Sequence, residues 1–523
     1  MANNKRGNLS KIGKKAANTA SFLLMGRFLS IVLLGISLIV VARILGPSVY
    51  GIYTLSMGVV GFFGAAGNFG ISTALNKFIS ERIGRNDRKG AGKLWFNSMV
   101  TIFALGLVIT IIMVASSPLM SRTILHSGSY SYLLEIASLT ILAGMLFDAS
   151  YSSLIGFGNS QYLTVAAVVQ SLVQSLASIS FALLGFEAAA PILGLLIGFI
   201  TGFILVSAIV LFRLKIPVAP TISLAEIRRL LEFSIPLAVS NVLMSISNNF
   251  ALMVLGIYAV PLVAGNFGLA SKMSVLLDLV TGSIYLASIS MFSTALSRLK
   301  NNKGISELYN YMVYVAFLFV IPILFYIAVF SKQFSYTVFG GVYTLAPLYI
   351  RLSVLGLLVG FFGYYAGSLL ISANKVRDML KYTTVIFLVE MLSIPLLIPS
   401  FKGVGLVVIQ FFISSILIDI MYLRKIIRDF NVRINIRKHL RVLAANMAVI
   451  PLLLVIMLLS SNNYILMLIL SAFAEVLIYP VMLGVLHAVT QSDIDNINKA
   501  ADGIPLVSNV MKIFLYYVSI FSS

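Results

Sequence analysis

The chain contains no cysteine. That excludes disulfides, thiolate metal sites and cysteine nucleophiles. Its histidines, His126, His439 and His487, are too few and too scattered for a histidine-based metal site. Acids are scarce, with 17 Asp and Glu against 37 Lys and Arg. No GxxxxGK[ST] phosphate loop occurs, which removes ATP hydrolysis by this chain. Asp493-Ile494-Asp495 has the form of a glycosyltransferase metal pair. It follows Ser492 in a short polar tail, with no domain to hold a nucleotide sugar, and helix capping accounts for it better. A membrane glycosyltransferase would want acids in an outer loop, where only Glu187 clearly qualifies.

What is present is apolar. Hydrophobic residues make up 59% of the 523 and charged ones 10%, against about 25% charged in a soluble domain. Too little polar surface is left to cover a soluble fold, so the alternative solvent is lipid. A membrane-spanning helix needs about 20 mostly apolar residues. Such runs lie near 21–42, 51–75, 95–117, 131–155, 162–184, 190–212, 234–257, 261–290, 310–330, 346–372, 382–399, 404–423, 442–460 and 464–488. They are long and show no period of two, so strands are excluded. The first run has no small-residue cleavage pattern and reads as a membrane helix rather than a signal peptide.

The basic residues test this division. With the N-terminus inside, 30 Lys and Arg fall in inside segments and 4 in outside loops (Arg43, Arg122, Lys332, Lys402), with Arg27, Lys272 and Arg351 within spans. That asymmetry is the positive-inside pattern. It implies about fourteen spans with both termini cytoplasmic, and it explains the net charge of +20 without nucleic acid. Residues 503–521 are apolar but carry Lys512, and read as an interfacial or cytoplasmic amphipathic helix in preference to a further span.

The chain also repeats. Tyr50-Gly51-Ile52-Tyr53 corresponds to Ala264-Gly265-Asn266-Phe267. Ser153-Leu154-Ile155 with Asn159 corresponds to Ser368-Leu369-Leu370 with Asn374, and Ser72-Thr73-Ala74-Leu75 to Ser293-Thr294-Ala295-Leu296. The order is kept at nearly one offset, which indicates duplication. The expected fold is an all-α polytopic membrane protein of two parallel six-helix repeats plus a C-terminal helix pair. Its expected parts are a six-helix half over 1–212, a linker over 213–233, a second half over 234–430, the extra pair over 431–488 and a tail over 489–523.

Glycines recur at 58, 61, 64, 67 and 70, at 194, 198 and 202, and at 356, 360, 363 and 367. Close helix packing is their main reading, and bending during a transport cycle the other. Pro236, Pro322 and Pro395 are candidate kinks. Ionisable residues within spans are candidates for a substrate cavity. Lys272 lies about 16 Å into its span, too deep for its stem to reach the surface. Asp278 is six residues on and off its face. Asp148, Glu390 and Glu475 admit either a cavity role or a structural hydrogen bond. Arg27 lies about two turns in, where snorkelling competes with a cavity role, and Arg351 is near an outer end where snorkelling is favoured.

The stretch Ala42-Arg43-Ile44-Leu45-Gly46-Pro47, with Tyr50-Gly51-Ile52-Tyr53, Phe69-Gly70, Ala74-Leu75 and Phe78-Ile79-Ser80-Glu81, resembles the opening of the polysaccharide-biosynthesis flippases. These are O-antigen-type exporters of the multidrug/oligosaccharidyl-lipid/polysaccharide exporter superfamily. Ser368 to Asn374 resembles that family's end of span 10. The acidic, Asp-containing opening of the peptidoglycan-precursor flippases is missing. The resemblance implies a non-enzymatic flippase of the plasma (inner) membrane, with no cofactor. Its implied substrate is a polyprenyl-(pyro)phosphate-linked oligosaccharide, with Lys272 and, more weakly, Arg27 contacting the phosphate. Membrane lipids, glycan-assembly enzymes and a coupling H+ or Na+ are the implied partners, with the membrane potential as the alternative driving force. The rival reading within the superfamily is a cation-coupled multidrug exporter, with Asp278 or Glu390 exchanging drug for cation.

Overall fold

The computed structural model describes residues 2–65, 67, 70–218, 220–298, 302–460, 463–491, 493–495 and 514–521. Among them every regular element is helical. The chain divides into two compact units, Met1–Gly265 and Asn266–Ser523.

The first unit opens with α1 (Ala2–Ala65), which is two helices in series, broken at Gly46 where φ is 69° and ψ is 172°. Glycine tolerates that positive φ, and Pro47 is suited to the first turn of the helix that follows. Then come α2 (Ile71–Gly84), α3 (Arg88–Ile124), α4 (Ser131–Gly156), α5 (Ser160–Leu183), α6 (Ala189–Ala208) and α7 (Leu224–Tyr258). Asp87 starts α3 by accepting the Gly90 amide at 2.8 Å, a standard N-cap. A π-helical turn, Ile209–Arg213, closes α6.

The glycine rows are contact faces. A Cβ on Gly194 would lie 2.0 Å from Ser178 Oγ, on Gly202 2.5 Å from Phe147, and on Gly61 2.2 Å from Asn249 Oδ1. These helices therefore pack backbone to side chain, with no room for a methyl group. The tightest crossing joins the restart of α1 to the start of the next helix, α8 (Pro261–Arg298). A Cβ on Gly51 would fall 1.8 Å from the Pro261 carbonyl, and one on Gly265 would fall 2.0 Å from the Pro47 carbonyl. The contact is reciprocal, as the Tyr50 and Ala264 stretches of the repeat would make it.

The second unit holds the rest of α8, then α9 (Asn302–Val329), α10 (Ser331–Phe339), α11 (Ala346–Val359), α12 (Phe361–Ser372), α13 (Val376–Val407), α14 (Ser414–Ile418), α15 (Arg424–Phe430), α16 (Ile436–Leu459) and α17 (Tyr464–Val485). α11 and α12 meet at a 51° bend at Gly360. α13 is broken at Lys402, with φ 48° and ψ −122°. Pro322 lies inside α9 and Pro395 inside α13. Tyr479 of α17 donates its hydroxyl to the Leu318 carbonyl of α9 at 2.9 Å, and Asn446 of α16 bonds Glu475 of α17 at 3.0 Å. Most of the tail 503–521 lies outside the described residues. Its end is helical, with Leu515 and Val518 fully buried and Phe514 against Phe319 at 5.5 Å.

The two units share one kind of helix stop. α4 ends with Gly158 at φ 73° and the Asn159 amide on the Leu154 carbonyl at 3.1 Å. α12 ends with Asn374 at φ 57° and the Lys375 amide on the Leu370 carbonyl at 2.9 Å. Both are Schellman-type stops.

Ten helices among the described residues are long and apolar enough to cross a membrane, and the bent pair makes an eleventh. Two of the ten, Gly26–Ala65 and Val376–Phe430, contain the breaks at Gly46 and Lys402. The chain is an all-α polytopic membrane protein.

Candidate functional site: charges inside the helices

The seven ionisable residues singled out within spans sort by environment. Arg27 on α1, Asp148 on α4, and Lys272 on α8 are exposed. Each sits in a largely apolar helix. An accessible charge facing hydrocarbon costs at least about 3 kcal/mol, so these three need a polar path beside them. Arg27 follows Gly26, where a Cβ would touch Thr164 of α5 at 2.5 Å; it also lies within electrostatic reach of Tyr151 on α4.

Glu390 and Glu475 differ. Glu390 is 1% exposed and accepts the Ser414 hydroxyl. Glu475 is buried and accepts from Asn446 across the α16–α17 pair. Both carboxyls join helices that are adjacent in the chain. Arg351 is exposed, and its Nε donates to Ser331 Oγ at 2.7 Å and to the Ala328 carbonyl at 3.2 Å, tying α11 to the α9–α10 turn. Asp278 lies outside the residues whose side chains are described.

One acid escaped the sequence reading. Asp419 accepts the Gly363 amide in the first turn of α12. That amide is free because the 51° bend at Gly360 opens a new helix N-terminus, where a carboxylate is favoured by both hydrogen bond and dipole. A Cβ on Gly363 would fall 2.4 Å from the carboxylate. The signal was present as an Asp between Ile418 and Ile420 in an apolar run.

The ion pairs lie at the basic helix ends. Arg82 meets Glu226 at 2.8 Å, and Lys425 meets Asp378 at 2.7 Å and Asp429 at 3.0 Å. Lys438 meets Asp493 at 2.6 Å, and Asp493 also accepts the Thr490 hydroxyl and amide. Burial pushes the Asp493 carboxyl up, but the Lys438 ammonium and Thr490 more than reverse this and hold it below the usual carboxylate range.

Two asparagines organise these ends. Asn97 of α3 is fully buried. Its Nδ2 donates to the Lys93 and Thr221 carbonyls at 2.8 and 3.0 Å and to Glu226 at 3.3 Å, and its Oδ1 accepts the Ser223 amide at 2.7 Å. Asn310 of α9 donates to the Ser306 and Arg433 carbonyls at 2.8 and 2.7 Å and accepts the Asn435 amide at 2.8 Å. Each asparagine clamps the linker that leads into a following helix, α7 in one unit and α16 in the other.

The fold is that of membrane transporters of the MOP superfamily. It is similar to the lipid II flippase MurJ in an inward closed conformation, with a TM-score of 0.70 at 15% identity over 89% of this chain and 98% of that one. It is also similar to an inward-facing multidrug resistance MATE family transporter, with a TM-score of 0.66 at 18% identity over 77% and 95%. A MOP superfamily transporter from Pyrococcus furiosus matches with a TM-score of 0.50 at 18% identity over 76% and 95%. No curated protein matches the sequence. Residues 40–346 match the family described as polysaccharide biosynthesis protein, and the chain belongs to that family. Family and fold neighbours are flippases and transporters, not enzymes.

Proposed function

We propose that this chain is a flippase that turns a polyprenyl-(pyro)phosphate-linked oligosaccharide from the inner to the outer leaflet by alternating access, for surface glycan assembly. In this reading it crosses the plasma (inner) membrane about fourteen times with both termini in the cytoplasm. Two helical halves move against each other, and α16 and α17 add a further pair. Membership of the polysaccharide biosynthesis family is the observation that carries the reading. The accessible Lys272 supports it, being a cation deep in an apolar helix.

The physics fits the task. The headgroup is polar and anionic, while the polyprenyl tail stays in lipid. A cationic, hydrated groove removes most of the barrier of at least about 3 kcal/mol per charge. With the inside negative, two negative charges moving outward gain about 4.6 kcal/mol per 100 mV. A coupling H+ or Na+, taken by an acid such as Asp148, is the alternative source of drive. Lys272 contacts the phosphate, and Arg27 contributes more weakly.

Lys272→Glu reverses the charge at the proposed contact. It should abolish glycan display on the cell surface with protein level unchanged in the membrane; full display in that variant overturns the assignment of Lys272. The likeness to a MATE family transporter favours one rival, cation-coupled drug export. A deletion strain separates the two: lost surface glycan with ordinary drug tolerance supports the flippase, and drug sensitivity with normal glycan supports the exporter.

A further inference from the structure

Among the described residues α7 packs on α1, α2 and α3. Its contact line with α1 is marked by Asn249 and Leu252, which meet Gly61 and Gly58. Successive helical residues turn by about 100°, so the positions on either side of that line can be placed. About 60–100° to one side of Asn249 lie Val239, Ile246, Phe250 and Ile257. All are apolar, and Val239 and Ile257 are exposed. That edge suits lipid. About 40–100° to the other side lie Asn241, Ser245 and Asn248. Asn241 and Asn248 are exposed. Towards Tyr258 the same edge closes, with Leu252 on Gly58 and Leu255 fully buried.

Depth makes the open polar edge costly in lipid. Asn248 is 19 residues beyond Arg229 and 10 before Tyr258, which is about 28 and 15 Å along the axis. That is well inside the apolar run, and a side chain with one methylene cannot snorkel out of it. An amide turned to hydrocarbon is strongly disfavoured, so the edge borders a hydrated path. The neighbouring Asn249 has the ordinary structural role. Its Nδ2 donates to the Ser245 carbonyl at 2.7 Å and to Ser245 Oγ at 3.3 Å, with its side chain against Gly61. From 239 to 258 the chain has no Asp, Glu, Lys or Arg. The edge therefore offers hydrogen bonds without charge.

We infer that the Asn241–Asn248 edge of α7 binds sugar hydroxyls of the glycan headgroup during translocation. The inference rests on the flippase reading and deepens it: Lys272 is there the contact for the phosphate, and this neutral edge is the contact for the sugars. A carboxamide presents donor hydrogens and acceptor lone pairs side by side. A sugar hydroxyl is both donor and acceptor, so one asparagine can serve neighbouring hydroxyls of a ring. The two asparagines lie about 10 Å apart along the axis, long enough to engage successive rings of an oligosaccharide. Between cycles water satisfies the same groups. An organic cation, the rival cargo, finds no acid on this edge.

The absence of cysteine supplies the test, because each single-cysteine variant of the full chain then carries one thiol. In inside-out membrane vesicles, Asn241→Cys and Asn248→Cys should react with a charged methanethiosulfonate reagent at least about tenfold faster than Val239→Cys and Ile246→Cys, because a thiol ionises only where it is hydrated. Each control lies two residues from an asparagine, at nearly the same depth. Lipid-linked oligosaccharide extracted from the native host should slow labelling at both asparagine positions. Undecaprenyl phosphate, which carries no sugar, should not. In cells, Asn241→Leu with Asn248→Leu should lower surface glycan display about tenfold or more at unchanged protein level, while Asn241→Gln with Asn248→Gln, which keeps the carboxamides, should retain most of it.

Equal labelling at the asparagine and control positions overturns the hydrated edge. Protection by undecaprenyl phosphate as strong as by the oligosaccharide, or no protection by either, overturns the sugar contact. Lost glycan in a deletion strain with full display in the leucine double variant removes this inference and leaves the flippase reading standing. A deletion strain that still displays glycan removes the reading and the inference together.

Discussion

The ends of α3 and α9 perform the same structural task with different surroundings. In the first unit the Asn97 amide is fully buried, and Glu226 and Arg82 close the space around it. In the second unit the Asn310 amide is half-buried beside an open cavity rich in Lys and Arg. The backbone bonds match and the side-chain chemistry does not. Both units carry the device that sets where the following helix begins, while the charge next to it differs. A clamp of this kind satisfies linker carbonyl and amide groups that water would otherwise have to reach.

Removing the clamps gives the largest expected effects. Asn97→Ala leaves the Thr221 carbonyl and Ser223 amide without their partner, in a buried site. It should cost about 2–4 kcal/mol and lower the thermal unfolding midpoint of the detergent-solubilised protein by several degrees. Asn310→Ala removes a similar set from a wetter site and should cost about 1–2 kcal/mol. Equal losses in the two variants would break the comparison, because burial would then not decide the cost.

Glu226→Gln keeps shape but removes the charge opposite Arg82. Both side chains are roughly one-fifth exposed, so the ion pair is partly screened and about 1 kcal/mol is expected. The smallest effect concerns Asp493. Its carboxyl sits below the usual range when folded, so it contributes stability at neutral pH that is lost as pH falls below about 4. Lys438→Met should flatten the dependence of the unfolding midpoint on pH below about 5. A pH profile unchanged from wild type removes Lys438 as the cause.

The spans were legible because lipid demands long apolar runs, and Lys272, Arg27 and Asp148 stood out within them for the same reason. The break at Gly46 was written in a Gly-Pro pair; the break at Lys402 was not, because lysine carries no signal for a positive φ. Depth along a span could not separate the accessible Lys272 from the hydrogen-bonded Glu390 and Glu475. The partners that settle those acids, Ser414 and Asn446, lie 24 and 29 residues away on other helices. Asp419 was overlooked because its partner is a backbone amide created by a bend. The clamps were invisible for a related reason. Asn97 reaches 124 residues to Thr221, and Asn310 reaches 123 to Arg433, and an asparagine near a helix start has many commoner roles.

The mutual seat of Gly51 and Gly265 has a genetic corollary. Each position is closed to alanine by the carbonyl of a proline from the opposing strand of chain, Pro261 for one and Pro47 for the other. In a saturation library selected for working protein, codons 51 and 265 should therefore tolerate almost nothing, although neither residue has a side chain to contribute chemistry. Suppressors of Gly51→Ala should not arise by swapping side chains nearby, because the obstacle is main chain that every amino acid shares.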